Sequence, residues 1–216
     1  MRDKRNVIEV YIPDATIKRI SMYLRCLRVF KEYGKDVVQS REIAEKCGFS
    51  SSLVRKDLSY FGEFGIRGKG YDVENLIKKI EDIIDLHEIK EIIVIGAGNL
   101  GRALVHHFED NSTFNIVAVF DKDKRKIGKY IKDIEIKDIE YLSSFLTISK
   151  PLFVILAIPP GNVQDIVDIL VKGGIKGILS FVVTPISVPK NVEVSFVEIA
   201  SELEFLGYKI KCMEGS

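Results

Sequence analysis

The sequence predicts an α/β protein in two parts: a small helical domain closed by a glycine-rich hairpin, then a parallel sheet with helices packed on it. Three observations carry this. Apolar residues recur at spacings of three and four early in the chain, then give way to short continuous apolar runs separated by helical stretches. Four glycines (Gly62, Gly65, Gly68, Gly70) crowd one short segment, which excludes a regular helix there. A GxGxxG segment, GAGNLG at 96–101, follows directly on the first continuous apolar run.

The first helix is expected over about 13–33, with Ile17, Ile20, Leu24, Leu27 and Phe30 on one face, opened by Pro13 and stopped by Gly34. Ser40 is read as the cap of a second short helix running to Cys47 and breaking at Gly48. A third begins near Ser51 and sets Val54, Leu58 and Phe61 on one face. The segment FGEFGIRGKGY then favours a tight hairpin. Asp72 caps a fourth helix bearing Val73, Leu76, Ile77, Ile80, Ile83 and Ile84, and the polar stretch 87–90 marks a domain boundary. Beyond it, IIVIG (92–96), NIVAVFD (115–121), FVILAI (153–158) and GILSFV (177–182) read as strands buried on both faces, with helices over 99–108 and 163–171. Strands alternating with helices imply a parallel sheet with right-handed crossovers. The tail, SFVEIASELEFLGYKI, reads as one further amphipathic helix. The predicted domains are 1–88, a winged helix-turn-helix domain; 89–196, a Rossmann-like domain; and 197–216, a C-terminal helix and tail.

A chain of 216 residues, 46% hydrophobic and 29% charged, has the composition of an ordinary globular protein and is long enough for two modest cores. It has no apolar run of membrane-spanning length, and the N-terminal MRDKRNVIEVYIPDATIKR lacks the apolar core of a signal peptide, so a cytoplasmic location is expected. Cys26, Cys47 and Cys212 stand far apart with no CxxC spacing. That predicts no metal site and no disulfide framework, with Cys26 and Cys47 as small core residues. The net charge of +1 conceals an asymmetry: residues 1–71 hold 15 Lys/Arg against 9 Asp/Glu, and 72–216 hold 17 against 22. A basic front half hints at a polyanionic partner.

Residues 40–62 form the expected helix-turn-helix, with Ala44 small where two helices approach and Gly48 at the turn. On its third helix Ser51, Ser52, Arg55, Lys56 and Ser59 lie off the apolar face. Cations that reach guanine or phosphate, beside hydroxyls that bond to either, suit a DNA major groove. Arg67 and Lys69, alternating with glycines on the hairpin, are candidates for backbone or minor-groove contact. Spacing alone leaves open a small helical domain whose basic face is merely solvated.

In GAGNLG, Gly96 permits the tight turn, Gly98 the approach of a pyrophosphate, and Gly101 close packing of helix on strand. Backbone amides of Ala97, Asn99 and Leu100 then belong to a loop and helix start that favour phosphate. Asp121 ends the second strand twenty positions after Gly101, where a carboxylate bonds ribose hydroxyls and repels a 2′-phosphate, favouring NAD(H) over NADP(H). Lys122, Lys124 and Arg125 temper that preference. A Rossmann-like sheet without a ligand is the alternative. No catalyst is expected: the only histidines are His87, His106 and His107, and no nucleophile pairs with a base. The nucleotide is read as sensed rather than consumed.

With these residues assembled, the chain resembles the Rex family of redox-sensing transcriptional repressors over roughly residues 11–208. The resemblance rests on IPDATIKRISMYLR, SLVRKDLSYFGEFGIRGKGYDV, VIGAGNLGRAL, FDKDKRKIG and GIKGIL. It implies a homodimer whose C-terminal helices exchange between subunits, NADH bound in the Rossmann domains, and a winged helix that leaves a palindromic operator when NADH binds. By motif match it assigns DNA contacts to Arg55, Lys56, Ser59 and the wing at 67–70, and nucleotide contacts to 96–101 and Asp121. Three places depart from the family pattern. SFVV stands at 180–183 where NFAP is usual, Glu198-Ile199 replaces an aspartate with its apolar neighbour, and His106-His107 stands where an aromatic often occurs. Ser180, Phe181 and Glu198 fall where the family places its nicotinamide and dimer switch, so weaker discrimination of NADH from NAD⁺ is expected. Two alternatives follow: the same fold with an altered nucleotide response, or a small NAD- or CoA-binding enzyme subunit.

Overall fold

The computed structural model describes residues 12–62, 65–66, 69–161 and 163–214. It divides into two compact units, one ending at Glu88 and one beginning at Ile89.

In the first unit, α1 (Asp14–Glu32) starts after Pro13 and buries Ile20, Tyr23, Leu24 and Leu27, the face that the three-four spacing defines. It ends at Gly34, whose φ of +71° lets the Gly34 and Lys35 amides turn back onto the carbonyls of Lys31 and Phe30. A short strand, β1 (Val37–Val38), leads into α2 (Ser40–Cys47). Ser40 is not the cap it was expected to be: Gln39 precedes the helix, and the Glu42 carboxylate accepts its N–H at 2.9 Å. Gly48 (φ +73°) makes the turn into α3 (Ser51–Ser59), whose true cap is Ser50. The expected hairpin is present as β2 (Gly65–Ile66) and β3 (Gly70–Asp72), and β1 joins it in the order β1-β3-β2. Gly70 has a positive φ, and a Cβ there would lie 2.6 Å from the Val38 carbonyl oxygen, so β1 can approach only a glycine. Asp72 caps α4 (Val73–Ile83), accepting the Asn75 N–H at 2.7 Å. Val38, Ile43, Val54, Leu58, Val73, Leu76 and Ile80 close one core with the α1 face.

A second expectation about this unit is corrected. Cys26 on α1 and Cys47 on α2 meet as a disulfide with their Cα atoms 7.0 Å apart. Sequence distance concealed the contact because packing of α1 against α2 creates it.

The second unit runs β4 (Lys90–Ile95), α5 (Asn99–Phe108), β5 (Phe114–Asp121), β6 (Tyr130–Ile131), β7 (Ile134–Asp138), α6 (Leu142–Ser149), β8 (Phe153–Leu156), α7 (Val163–Lys172), β9 (Gly177–Ser180), β10 (Glu193–Phe196) and α8 (Ile199–Glu214). The sheet order is β10-β9-β8-β4-β5-β7-β6, parallel throughout except for β6 against β7. Alternate residues of β4 serve two cores: Ile93 and Ile95 pack with Leu156, Val167 and Leu170, and Ile92 and Val94 with Val105, Val119 and Ile136. The chain leaves β4 for β5 on one side and later returns to β8 on the other, so a topological switch point lies at the C-terminal end of β4. The tail differs from expectation: 193–196 form edge strand β10, and the helix begins only at Ile199.

Candidate functional site

The glycine loop stands at the switch point. Gly96 holds a φ of +106°, donates its N–H to the Phe120 carbonyl at 2.7 Å, and lies so close to β8 that a Cβ would sit 2.3 Å from the Ala157 carbonyl oxygen. At Gly101 a Cβ would lie 1.8 Å from the Gly96 carbonyl oxygen, so only glycine lets α5 approach the loop. Gly98 differs: a Cβ there meets nothing within 4 Å. The Arg102 N–H is bonded to the Gly98 carbonyl at 3.0 Å, which leaves the N–H groups of Asn99, Leu100 and Gly101 ahead of the helix ladder. These amides and the α5 dipole favour an anion approaching over Gly98. Room at Gly98, beside glycine-only contacts at Gly96 and Gly101, fits a pyrophosphate.

Asp121 ends β5 beside this loop and is 8% exposed. Its carboxylate accepts the Ala97 N–H at 2.8 Å, the Asp123 N–H at 2.8 Å and the Lys126 ammonium at 2.9 Å. Burial alone would push this carboxyl up, but the bonds from Lys126, Asp123 and Ala97 outweigh it and hold the acid below its ordinary value. Three of its roughly four acceptor positions are thus taken. Lys126 is the one of these three donors that can swing away, since the other two are backbone amides. Sequence reasoning missed Lys126. Two of the three cations it did single out are engaged with carboxylates: Lys124 with Asp138 at 2.5 Å and Glu140 at 3.5 Å, and Arg125 with Asp123 at 2.9 Å. The Arg125 guanidinium draws the Asp123 carboxyl down to about 2. Lys122 is exposed.

Of the residues expected at the nicotinamide switch, Ser180 pairs with Phe196 across β9 and β10, and its carbonyl accepts the Val197 N–H at 2.8 Å, next in sequence to Glu198. Ser180 ends β9 fully buried, with its hydroxyl bonded to the Val182 carbonyl at 3.0 Å and accepting the Val182 N–H at 3.1 Å. Phe181 is partly buried and packs against the core that contains Ile155 and Val105. Glu198 is exposed immediately before α8 and accepts the Ser201 hydroxyl at 2.7 Å. Along α8, Ile199, Leu203, Leu206, Ile210 and Met213 are all more than half exposed, at spacings that put them on one stripe.

In the first unit, α3 turns Ser52, Arg55, Lys56 and Ser59 to solvent, while Ser51 is half-buried. The Arg55 guanidinium donates to the Ser40 hydroxyl at 3.0 Å, and the Ser59 hydroxyl to the Lys56 carbonyl at 2.7 Å. Lys69 is exposed in the turn before β3, and Arg67 lies outside the described residues. The opposite side of α3 carries a residue that sequence reasoning also missed. Asp57, 1% exposed, accepts from Arg19 Nε and Nη2 at 2.6 and 2.7 Å, from the Tyr23 hydroxyl at 2.8 Å and from the Thr16 hydroxyl at 3.1 Å. Burial would raise the Asp57 carboxyl, but the bonds from Arg19, Tyr23 and Thr16 prevail and lower it. Burial first, then the bond to Asp57, raises the Tyr23 phenol well above its ordinary value.

Fold and site together define a chain that joins a helix-turn-helix unit to a Rossmann unit with a dinucleotide-type glycine loop. Residues 11–59 match the family described as "Putative DNA-binding protein N-terminus", and residues 87–184 match the CoA binding domain family. The redox-sensing transcriptional repressor Rex of Desulforamulus reducens is 43% identical over 205 residues, covering 94% of this chain and 97% of the relative. Rex of Carboxydothermus hydrogenoformans is 42% identical over 202 residues, covering 93% and 97%. Among solved structures, RSP, a Rex-family repressor, in complex with beta-NAD⁺ and operator DNA aligns at TM-score 0.87 and 35% identity, covering 95% of each chain. RSP with beta-NADH aligns at TM-score 0.85 and 33% identity, covering 95% of this chain and 97% of RSP. The chain belongs to the Rex family of redox-sensing transcriptional repressors.

Proposed function

We propose that this protein is a cytoplasmic, homodimeric transcriptional repressor that binds a palindromic operator through α3 and the wing, and that NADH binding at 96–101 and Asp121 releases it. The observation that carries the reading is the glycine loop latched to Asp121 at the sheet's switch point, in a chain that also bears a basic, outward-facing α3. The relatives named as repressors match nearly end to end, which favours sensing over turnover and disfavours a small NAD- or CoA-binding enzyme subunit. In this reading Arg55, Lys56 and Ser59 read bases and phosphates, with Ser51, Ser52, Arg67 and Lys69 in support. The amides at the α5 start hold the pyrophosphate, and Asp121 holds the adenosine ribose once Lys126 releases it. NADH supplies no chemistry here; its binding energy shifts a conformational equilibrium. The apolar stripe of α8 supports a dimer, since a monomer rarely leaves such a face uncovered. Gel-shift titration of a duplex selected by the protein from a randomised pool, with NADH, NAD⁺ or neither, tests the reading. Release by NADH and retention with NAD⁺ are expected.

A further inference from the structure

The apolar side of α3, Val54 and Leu58, secures burial of the helix but says little about its rotation, because hydrophobic contact is non-directional. Direction comes from Asp57. Thr16, Arg19 and Tyr23 stand at i, i+3 and i+7 on one face of α1, and all three donate to this one carboxylate. Arg19 meets it as a fork, Nε on one oxygen and Nη2 on the other, a planar match that fixes angle as well as distance. A buried carboxylate–guanidinium pair is a poor device for stability alone, since its desolvation cost rivals its attraction. It is a good device for register. Asp57 follows Lys56 directly, so fixing one fixes the other about 100° away on the helix.

We infer that Asp57 is a positioning residue for DNA reading: held by Thr16, Arg19 and Tyr23, it sets the rotation of α3 and thereby which side chains reach base edges. The inference rests on the reading of α3 as the DNA-contacting helix. Base-edge bonds need placement to within tenths of an ångström, whereas long Lys and Arg side chains find phosphates from many orientations. Loosening the Asp57 contact therefore erodes sequence discrimination and leaves the salt-dependent, sequence-independent part of binding intact.

The test uses the full chain and two duplexes of equal length, one selected by the wild-type protein from a randomised pool and one unrelated, titrated over a range of salt. Asp57→Asn is expected to lower the ratio of selected to unrelated affinity by about ten-fold, the size of one lost base contact. Its salt slope stays unchanged, and its affinity for the unrelated duplex stays equal or rises slightly, because an acid has been removed. Tyr23→Phe, which removes one donor, lowers the ratio about three-fold, a milder version of the same loss. Ile80→Val, in the same core but away from Asp57, lowers the melting temperature and leaves the ratio alone. A ratio within about two-fold of wild type for Asp57→Asn overturns the inference, as does a rise in affinity for both duplexes, which is what charge alone predicts. If Asp57→Asn fails to fold, the Tyr23→Phe ratio decides by the same two-fold criterion. A wild-type protein that selects no duplex overturns the DNA reading itself, a distinguishable outcome.

Discussion

Gly98 and Gly101 separate the demands of folding from those of binding. An alanine methyl at Gly101 collides with the Gly96 carbonyl, whereas at Gly98, with a φ of −76°, it enters open space. Gly101→Ala is therefore expected to cost stability, on the order of 1–3 kcal/mol as for other overpacked sites. Gly98→Ala should melt like wild type yet lose NADH affinity; calorimetric titration and thermal melts separate the two. Asp121→Ala should weaken NADH and narrow the gap to NADPH, and Lys126→Ala should widen that gap by restoring the full charge of Asp121, both read by titration with each nucleotide. Acid is expected to weaken the first unit through Asp57. Its carboxyl lies below the ordinary value in the folded state, so its contribution is complete above about pH 4, near the unfolded value, and is lost as pH falls through the folded one. Scanning calorimetry of the full chain below pH 5 should show a smaller drop for Asp57→Asn than for wild type. The turn at Gly96 and the close approach at Gly101 were legible because their spacing is set by local backbone geometry. Asp57 was not, because its partner Arg19 lies 38 residues away on another helix. Lys126 was obscured by the neighbouring cations.

For the elements, legibility followed length. α1, α4, α5 and α7 announce themselves through periodicity sustained over ten residues or more. β1 and β6, two residues each, carry no pattern; in β7 charged residues alternate with the apolar ones, and α6 is a short LSSFLTIS segment of only eight residues. β10 hid because its alternating residues run straight into the amphipathic α8. On α3, Arg55→Ala and Lys56→Ala should each weaken operator binding by about 1–3 kcal/mol where a base contact is lost, or reduce the salt slope by about one where a phosphate contact is lost. Neither should alter the fold, since both side chains face solvent. On α8, Leu203→Asp with Leu206→Asp places charge on the exposed apolar stripe. Sedimentation velocity should then show a monomer, and operator affinity should fall because a palindrome needs two copies to hold it. A dimer that survives both substitutions would move the interface away from α8.

The molecule as a whole is read as a two-state repressor, and a ligand can release DNA only by favouring the non-binding state over the DNA-binding one. NADH and NAD⁺ share every phosphate and ribose contact that 96–101 and Asp121 can make, so discrimination has to come from the nicotinamide end. At the positions that the resemblance assigns to that end, the Ser180 hydroxyl is turned onto the Val182 backbone, and Glu198 is one methylene longer than the family's aspartate. We expect NADH to release DNA with a smaller NADH/NAD⁺ ratio than is usual in the family, and Glu198→Asp to enlarge it. The most direct measurement is a fluorescence-anisotropy titration of the preformed protein–operator complex with NADH and, separately, NAD⁺ at one salt concentration. The account predicts dissociation at lower NADH than NAD⁺ concentration, with the Gly98→Ala variant unresponsive to both. A complex that forms well and is indifferent to NADH would contradict it.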